Sequence, residues 1–418
     1  MRILVVSPII PHKNNVRIDY VNSVIDFLKT KIDVELFWLV FQPNKIGSDK
    51  LNGSIILDVH QFQDANKLID MIKPDVFLAN PAMDPINYSI SLISSLNKIP
   101  IICFDHTYFS FLQSTQIQSK KISLLFSSKL PTDDESEKKL FGRGRFYFFK
   151  YYFLLKTRLS LGINFDQITN IIKDTYDFLT GRMSQVNKFG DKFLLPGIFA
   201  FKKYDVTNIN KNLFHVVGNP YWDNLSKKIR QKNNKKTINN KKILVVTSPL
   251  YEHGYWNTHQ REEFLTNLFS ILSKNNFSFA LKIHPSSENK FFYESLFKKL
   301  NIEVDIFQDE SLWDIACDYN TLISFGYSQA ITEIVYSGHK LIFLNAGIVI
   351  PEPPLLKESI KEGNTIECDF NNLSTTIKDI FNISIHLSQN FENECNKIFP
   401  KTDGKSAEKI AKILLDLE

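Results

Sequence analysis

The 418-residue sequence predicts two Rossmann-like, doubly wound α/β domains facing a cleft. Three observations carry this. Arg2-Ile-Leu-Val-Val-Ser-Pro8 opens the chain, and Lys242-Ile-Leu-Val-Val-Thr-Ser-Pro249 repeats it near the middle. Each is a continuous apolar strand ending in a hydroxyl and a proline, the pattern of a parallel strand covered on both faces. After each, apolar strands alternate with helical stretches, and the chain is long enough to bury two cores. The expected division is 1–225, a linker 226–241, and 242–418. Lys227 to Lys242 holds eight Lys or Arg and no acid, which reads as a solvated connection.

In the first half, Val34 to Phe41 reads as a strand. Ala65 to Ile72 reads as a helix that stops near Lys73-Pro74. Asp75 to Ala79 is a strand, Asn87 to Leu96 a helix, and Ile99 to Phe104 a strand that runs into Asp105-His106. Leu213 to Gly218 is the last strand of this half. In the second half, Phe264 to Leu272 is a helix and Ser278 to Ile283 a strand ending at His284-Pro285. Lys290 to Leu300 is a helix, Val304 to Phe307 a strand, and Leu312 to Cys317 a short helix. Thr321 to Asn345 then reads as strand, small-residue turn, helix, strand, with Gly338 ending the helix. Ser406 to Leu417 is a closing helix, counted with the second domain or packed back on the first.

Composition narrows the function. The formal charge is +5, so charge alone points to no nucleic-acid partner. Cys103, Cys317, Cys368 and Cys395 lie far apart without a C-x-x-C pair, which argues against a zinc site and a disulfide framework and suits a reducing cytoplasm. The first residues are too quickly broken for a signal peptide. No apolar run reaches the roughly 18 residues of a spanning helix.

The chemistry concentrates at strand ends, the ligand edge of an open α/β sheet. Ser324, Gly326 and Ser328 form a turn with hydroxyls and backbone amides before a helix N-terminus, a place to hold phosphate. Glu333, one to two turns down, can reach a sugar diol. Lys282 and His284 stand at another strand end, with Pro285 fixing the turn, and either can meet a phosphate. The alternative there is a turn of solvated polar residues. Thr247 to Trp256 offers Glu252 and His253; its alternative is a surface loop whose Tyr255 and Trp256 cover the core. In the first domain the candidates are Ser7, His12, Arg17, Asp19, Asp84, Asp105 and His106. Residues 141–158 hold eight aromatics, five basic residues and no acid. Helical spacing puts Arg143 and Lys150 on one face with Arg158 nearby and Lys156 on the other side. The stretch reads either as an interfacial helix on anionic lipid or as a core helix with snorkelling bases.

In order, these segments resemble two-domain GT-B glycosyltransferases. Within that class they look most like the branch of bacterial sialyltransferases, polysialyltransferases and CDP-glycerol glycerophosphotransferases, related to UDP-N-acetylglucosamine 2-epimerases. The resemblance rests on Val217-Gly-Asn-Pro-Tyr-Trp-Asp223, His284-Pro285, Ser324 to Gly338, and Asp403-Gly-Lys-Ser-Ala-Glu-Lys-Ile410. It implies that His284 and Pro285 meet the donor nucleotide, Ser324 and Ser328 its phosphate, and Glu333 its ribose. It implies a CMP- or UDP-sugar as substrate, a glycan or lipid-linked acceptor, and no further cofactor or metal. The proton acceptor is then Asp105 or His106, with Glu252 as rival. Surface polysaccharide synthesis in the cytoplasm, at the inner face of the membrane through residues 141–158, is the expected setting. The acidic catalytic motif of some sialyltransferases has no match here. A glycerophosphotransferase, a 2-epimerase and a non-catalytic nucleotide- or glycan-binding protein are the other readings.

Overall fold

The computed structural model describes residues 1–7, 16–40, 53–79, 84–104, 135–162, 165–179, 187–197, 200, 209–233, 241–252, 255–285, 288–326, 329–347, 355–383, 388–398 and 403–417. The chain divides into two compact units. One is Met1–Tyr221 with Thr402–Glu418, the other Trp222–Lys401.

Unit 1 runs β1 (Arg2–Ser7), α1 (Val16–Lys29), β2 (Glu35–Val40), β3 (Ile55–Asp58), α2 (Ala65–Ile72), β4 (Val76–Ala79), α3 (Pro85–Leu96), β5 (Ile101–Phe104), α4 (Glu135–Ser160), α5 (Phe165–Leu179), β6 (Lys192–Leu195) and β7 (Phe214–Val216). The sheet order is β3-β2-β1-β4-β5-β6-β7, and every pair is parallel. Strand alternation divides the core in two. Leu4 and Val6 face one cluster with Leu68, Phe77, Ile90 and Phe153. Ile3 and Val5 face the other with Val21, Ile25, Trp38 and Leu414.

Local chemistry sets the helix ends. Asp64 caps α2 by accepting the Lys67 N–H, and Lys73 ends it in the left-handed region at φ 49°. Asp84 caps α3, and Pro85 occupies its first turn.

Unit 2 begins within α6 (Pro220–Asn233) and continues β8 (Lys242–Val246), α7 (Thr258–Lys274), β9 (Ser278–Lys282), α8 (Lys290–Leu300), β10 (Ile306–Phe307), α9 (Leu312–Ile315), β11 (Thr321–Phe325), α10 (Gln329–Tyr336), β12 (Lys340–Leu344), α11 (Leu356–Lys361), β13 (Thr365–Cys368), α12 (Leu373–Asn382) and α13 (Gln389–Ile398). Its parallel sheet has the order β10-β9-β8-β11-β12-β13. In each unit the order reverses beside the repeated Ile-Leu-Val-Val strand: β1 against β4, and β8 against β11. Asn257 and Gln260 form a reciprocal capping box at the start of α7.

Two boundary expectations change. Residues 226–233 are helical within α6 instead of linker; 234–240 lie outside the described residues. The closing helix, Ser406–Leu415, joins unit 1. Its Ile410, Ala411 and Leu414 are buried beside Ile18, Val21 and Ile25 of α1. Burying Ile410 and Leu414 contributes about 3–6 kcal/mol before chain entropy. Gly218, at φ 86°, lies against the Ser406 side chain, where a Cβ has no room. Two segments that carry the family resemblance therefore meet inside unit 1.

Residues 141–158 lie within α4. Lys150, expected on one face with Arg143, and Arg158, expected nearby, are both buried, and Phe153 is core. Among the described residues no helix is long and apolar enough to cross a membrane.

Candidate functional site

The reversal of strand order in unit 2 lies between β8 and β11, so the segments after these strands form the edge where a crevice opens. Ser324, at the end of β11, is fully buried, and its hydroxyl donates to the Val246 carbonyl of β8 at 3.0 Å. Its hydroxyl thus locks the two central strands together. Gly326 follows at φ 73°, with a would-be Cβ 2.8 Å from Leu250. Only glycine turns the chain there while lying against the segment after β8. Ser328 lies outside the described residues, as does His253.

α10 carries Glu333, whose Oε2 accepts the Trp313 indole N–H at 3.0 Å. Both side chains are buried. Behind them His339 is half-buried, paired through Nδ1 with the Ser337 hydroxyl at 2.6 Å. Burial pulls its imidazole down to about 4. Tyr336 on α10 meets α6, its hydroxyl 2.9 Å from Ser226 Oγ and its ring 5.2 Å from Trp222.

The His284-Pro285 turn at the end of β9 is held by Glu288. This carboxylate is buried and accepts from the His284 N–H at 2.6 Å, the Thr247 hydroxyl and the Tyr293 hydroxyl. Thr247 also donates its N–H to the Lys282 carbonyl at 3.0 Å. Gln308 donates from its side-chain amide to the Glu288 carbonyl at 2.9 Å. One carboxylate thus ties together the ends of β8 and β9 and the start of α8. Burial raises the Glu288 carboxyl above its usual 4.5, against the opposing pull of these hydrogen bonds and of Arg261.

Lys282 is buried and donates to the Ile283 and Gln308 carbonyls at 2.8 and 2.9 Å. Burial lowers its ammonium to about 8, although Glu310, Glu288 and Asp309 pull it upward. Glu252 Oε1 accepts from Arg261 Nη1 at 3.4 Å. The Arg261 guanidinium is sandwiched between the Tyr251 and Phe292 rings, 4.0 and 3.6 Å from their centroids. Trp256 covers the core as the alternative reading held, stacked on Phe325 at 5.8 Å.

In unit 1, Asp105, His106 and His12 lie outside the described residues, and of Ser7 only the backbone position in β1 is described. Arg17 is buried over the Phe104 ring at 4.8 Å, and burial lowers it to about 10. Asp84 caps α3, accepting from the Ile86 and Asn87 N–H groups and the Asn87 side chain. Asp19 stands in the first turn of α1, where its carbonyl accepts from Ser23.

Sequence reasoning assigned no role to Glu288, Tyr293, Arg261, Gln308 or Trp313. The one signal for Glu288 is its place four residues after His284, and an acid next to a helix start is ordinarily a solvated one.

Two parallel-sheet Rossmann-like units in one chain define the GT-B fold class. A scan against protein-family models finds no match, and a search of curated proteins finds none either. Solved structures do match. The UDP-GlcNAc 2-epimerase of Methanocaldococcus jannaschii, in complex with UDP-GlcNAc and UDP, is similar at TM-score 0.56 and 14% identity over 100% of both chains. S. aureus MnaA, solved with UDP, is similar at 0.55 and 14% identity, over 100% of this chain and 97% of that one. The glycotransferase of kitacinnamycin is similar at 0.51 and 12% identity, over 100% of this chain and 98% of that one. At these identities the likeness establishes the fold.

Proposed function

We propose that unit 2 binds a nucleotide-activated sugar and that the chain transfers the sugar to a glycan or lipid-linked acceptor. The Gly326 turn carries this reading. It leads from the central strand into α10, at the point where the strand order reverses, with Glu333 on the same helix. The N-terminus of α10 is the place for the donor phosphates, since backbone amides and the helix dipole stabilise the charge that develops on the leaving group. Lys282 commits its ammonium to carbonyls of its own sheet edge, so this task falls to α10 rather than to Lys282. Glu333, oriented by Trp313, is the partner for the ribose diol. His284 and Pro285, on the turn held by Glu288, form the nucleotide's other border. Proton acceptance from the acceptor hydroxyl falls to Asp105 or His106, because Glu252 is paired with Arg261.

A second reading is epimerisation of a UDP-sugar, favoured by the full-length likeness to UDP-GlcNAc 2-epimerases. One experiment separates the two. The protein is incubated with UDP-GlcNAc and with a CMP-sugar, each with and without oligosaccharide acceptors. Sugar transfer that requires an acceptor supports transfer. Acceptor-free conversion of UDP-GlcNAc supports epimerisation. If neither UDP nor CMP raises the melting temperature, even far above a typical binding constant, the nucleotide site itself is refuted.

A further inference from the structure

Two consecutive helices of unit 1 leave large apolar side chains exposed while burying charged ones, unlike an ordinary water-facing surface. On α4, Phe148, Tyr152 and Leu155 recur at helical spacing along one exposed face, while Lys150, Thr157 and Arg158 are buried. On α5, Phe165, Ile168, Ile172 and Tyr176 repeat the pattern, and Asp174 is buried. Phe148, Phe165 and Ile172 are 68%, 82% and 65% exposed. The inward Arg158 and Asp174 satisfy one another. Arg158 donates from Nε and Nη2 to Asp174 Oδ2 at 2.8 and 2.6 Å. It donates from Nη2 to the Tyr88 hydroxyl at 2.7 Å, and Tyr88 donates to Asp174 Oδ1 at 3.0 Å. Of twelve large apolar side chains exposed among the described residues, seven lie on these two helices, so this is a patch and not scatter.

We infer that this face rests on an anionic lipid surface. The charge around it decides between occupants. α4 carries seven Lys or Arg against two Glu; Lys150 and Arg158 are buried, which leaves five bases against two acids. Lys156 stands at the edge of the α4 stripe with its ammonium 5.6 Å from the Tyr152 ring. On α5, Lys173 stands against Asp166 and the half-buried Asp177, so the positive charge of this helix pair lies on α4. Aromatic and aliphatic side chains flanked by cations match the boundary between acyl chains and anionic headgroups. A second copy of this chain would set the same cations against one another. The surface stands whatever sugar chemistry unit 2 performs.

Vesicle flotation of the full-length protein tests this. The protein floats with vesicles of phosphatidylglycerol and phosphatidylcholine at low salt, and stays behind with phosphatidylcholine alone. The pair Phe148→Ser and Ile172→Ser keeps the melting temperature, because both side chains are exposed, and weakens partitioning at least about tenfold. If that pair melts lower, Phe148→Ser alone reads the same face. Lys156→Gln weakens binding to anionic vesicles a few-fold. Failure of the parent to float overturns the inference, and so does flotation of the folded serine variant at the parent level. A parent that ignores vesicles but forms a dimer, which the serine pair makes monomeric, assigns the face to a second copy instead.

Discussion

Replacing Glu288 by Gln and by Ala gives two different answers if this carboxylate holds the His284-Pro285 turn. Alanine removes the acceptor for the His284 N–H and the Tyr293 hydroxyl. Thr247 keeps a second acceptor, the Lys282 carbonyl at 3.3 Å. Two buried donors that lose this partner, plus the cavity, cost about 2–5 kcal/mol. At about 2–4 °C per kcal/mol for a unit of this size, melting falls by about 4–20 °C. Glutamine keeps the shape and can point its oxygen at His284 while its amide donates to Tyr293, so it costs about 1–2 kcal/mol at most. The pH dependence is sharper. Burial raises the Glu288 carboxyl in the folded state above the usual 4.5. The stability this contributes is therefore full below about 4.5 and is lost as pH rises through the folded value. Glutamine has no such proton. The stability difference between parent and Glu288→Gln should shrink with rising pH, by up to about 1.4 kcal/mol per pH unit inside that window. Urea unfolding followed by circular dichroism from about pH 4 to about pH 8 measures it. Equal losses in the Ala and Gln variants, or a difference that ignores pH, would refute the reasoning.

Other consequences can be checked by similar means. His339, held down at about 4 by burial, opposes acid: stability falls as pH drops from 6.5 toward 4, by up to about 3 kcal/mol, and His339→Gln flattens that slope in denaturant titrations. Arg158→Met strands the buried Asp174 and costs about 3–5 kcal/mol, while adding Asp174→Leu recovers most of it in thermal melts. Gly326→Ala meets both the positive φ and Leu250, and is expected to cost about 1–3 kcal/mol and to abolish UDP or CMP binding by calorimetry. Trp313→Phe should weaken UDP more than 2′-deoxy-UDP, since the indole N–H orients Glu333; equal losses would leave Trp313 a packing residue.

Strand identity was legible because both repeated strands and Thr321–Phe325 are buried on both faces, and burial on both faces writes a continuous apolar run into the sequence. The turn at Gly326 was legible for the same local reason: small residues stand between a strand and a helix. Ser324 shows the limit. Its type marked it for a ligand, whereas its hydroxyl is bound to Val246, a partner 78 positions away that no local pattern reveals. Glu288 and Arg261 were missed because a buried acid and a solvated one read alike until their partners are known. In α4 the aromatic-basic composition announced an unusual helix, but spacing alone fixed which residues share a face and not which face is covered. α5 was not assigned at all, and a stripe such as Phe165, Ile168, Ile172 and Tyr176 would ordinarily be read as the buried side.

The return of the closing helix to unit 1 makes unit 2 an insertion: residues 222–401 interrupt a unit that resumes at 402. A ribosome therefore delivers the two units in nested order. The inserted unit is contiguous and has all its strands by residue 368, whereas β1 and α1, although made first, wait for Ile410, Ala411 and Leu414 to cover them. Until then their apolar face is open, and contacts separated by nearly 400 positions are slow to form. A nascent chain stopped before residue 402 would thus hold a finished inserted unit and an unfinished one around it, and the unfinished unit would be the one that chaperones bind and proteases cut.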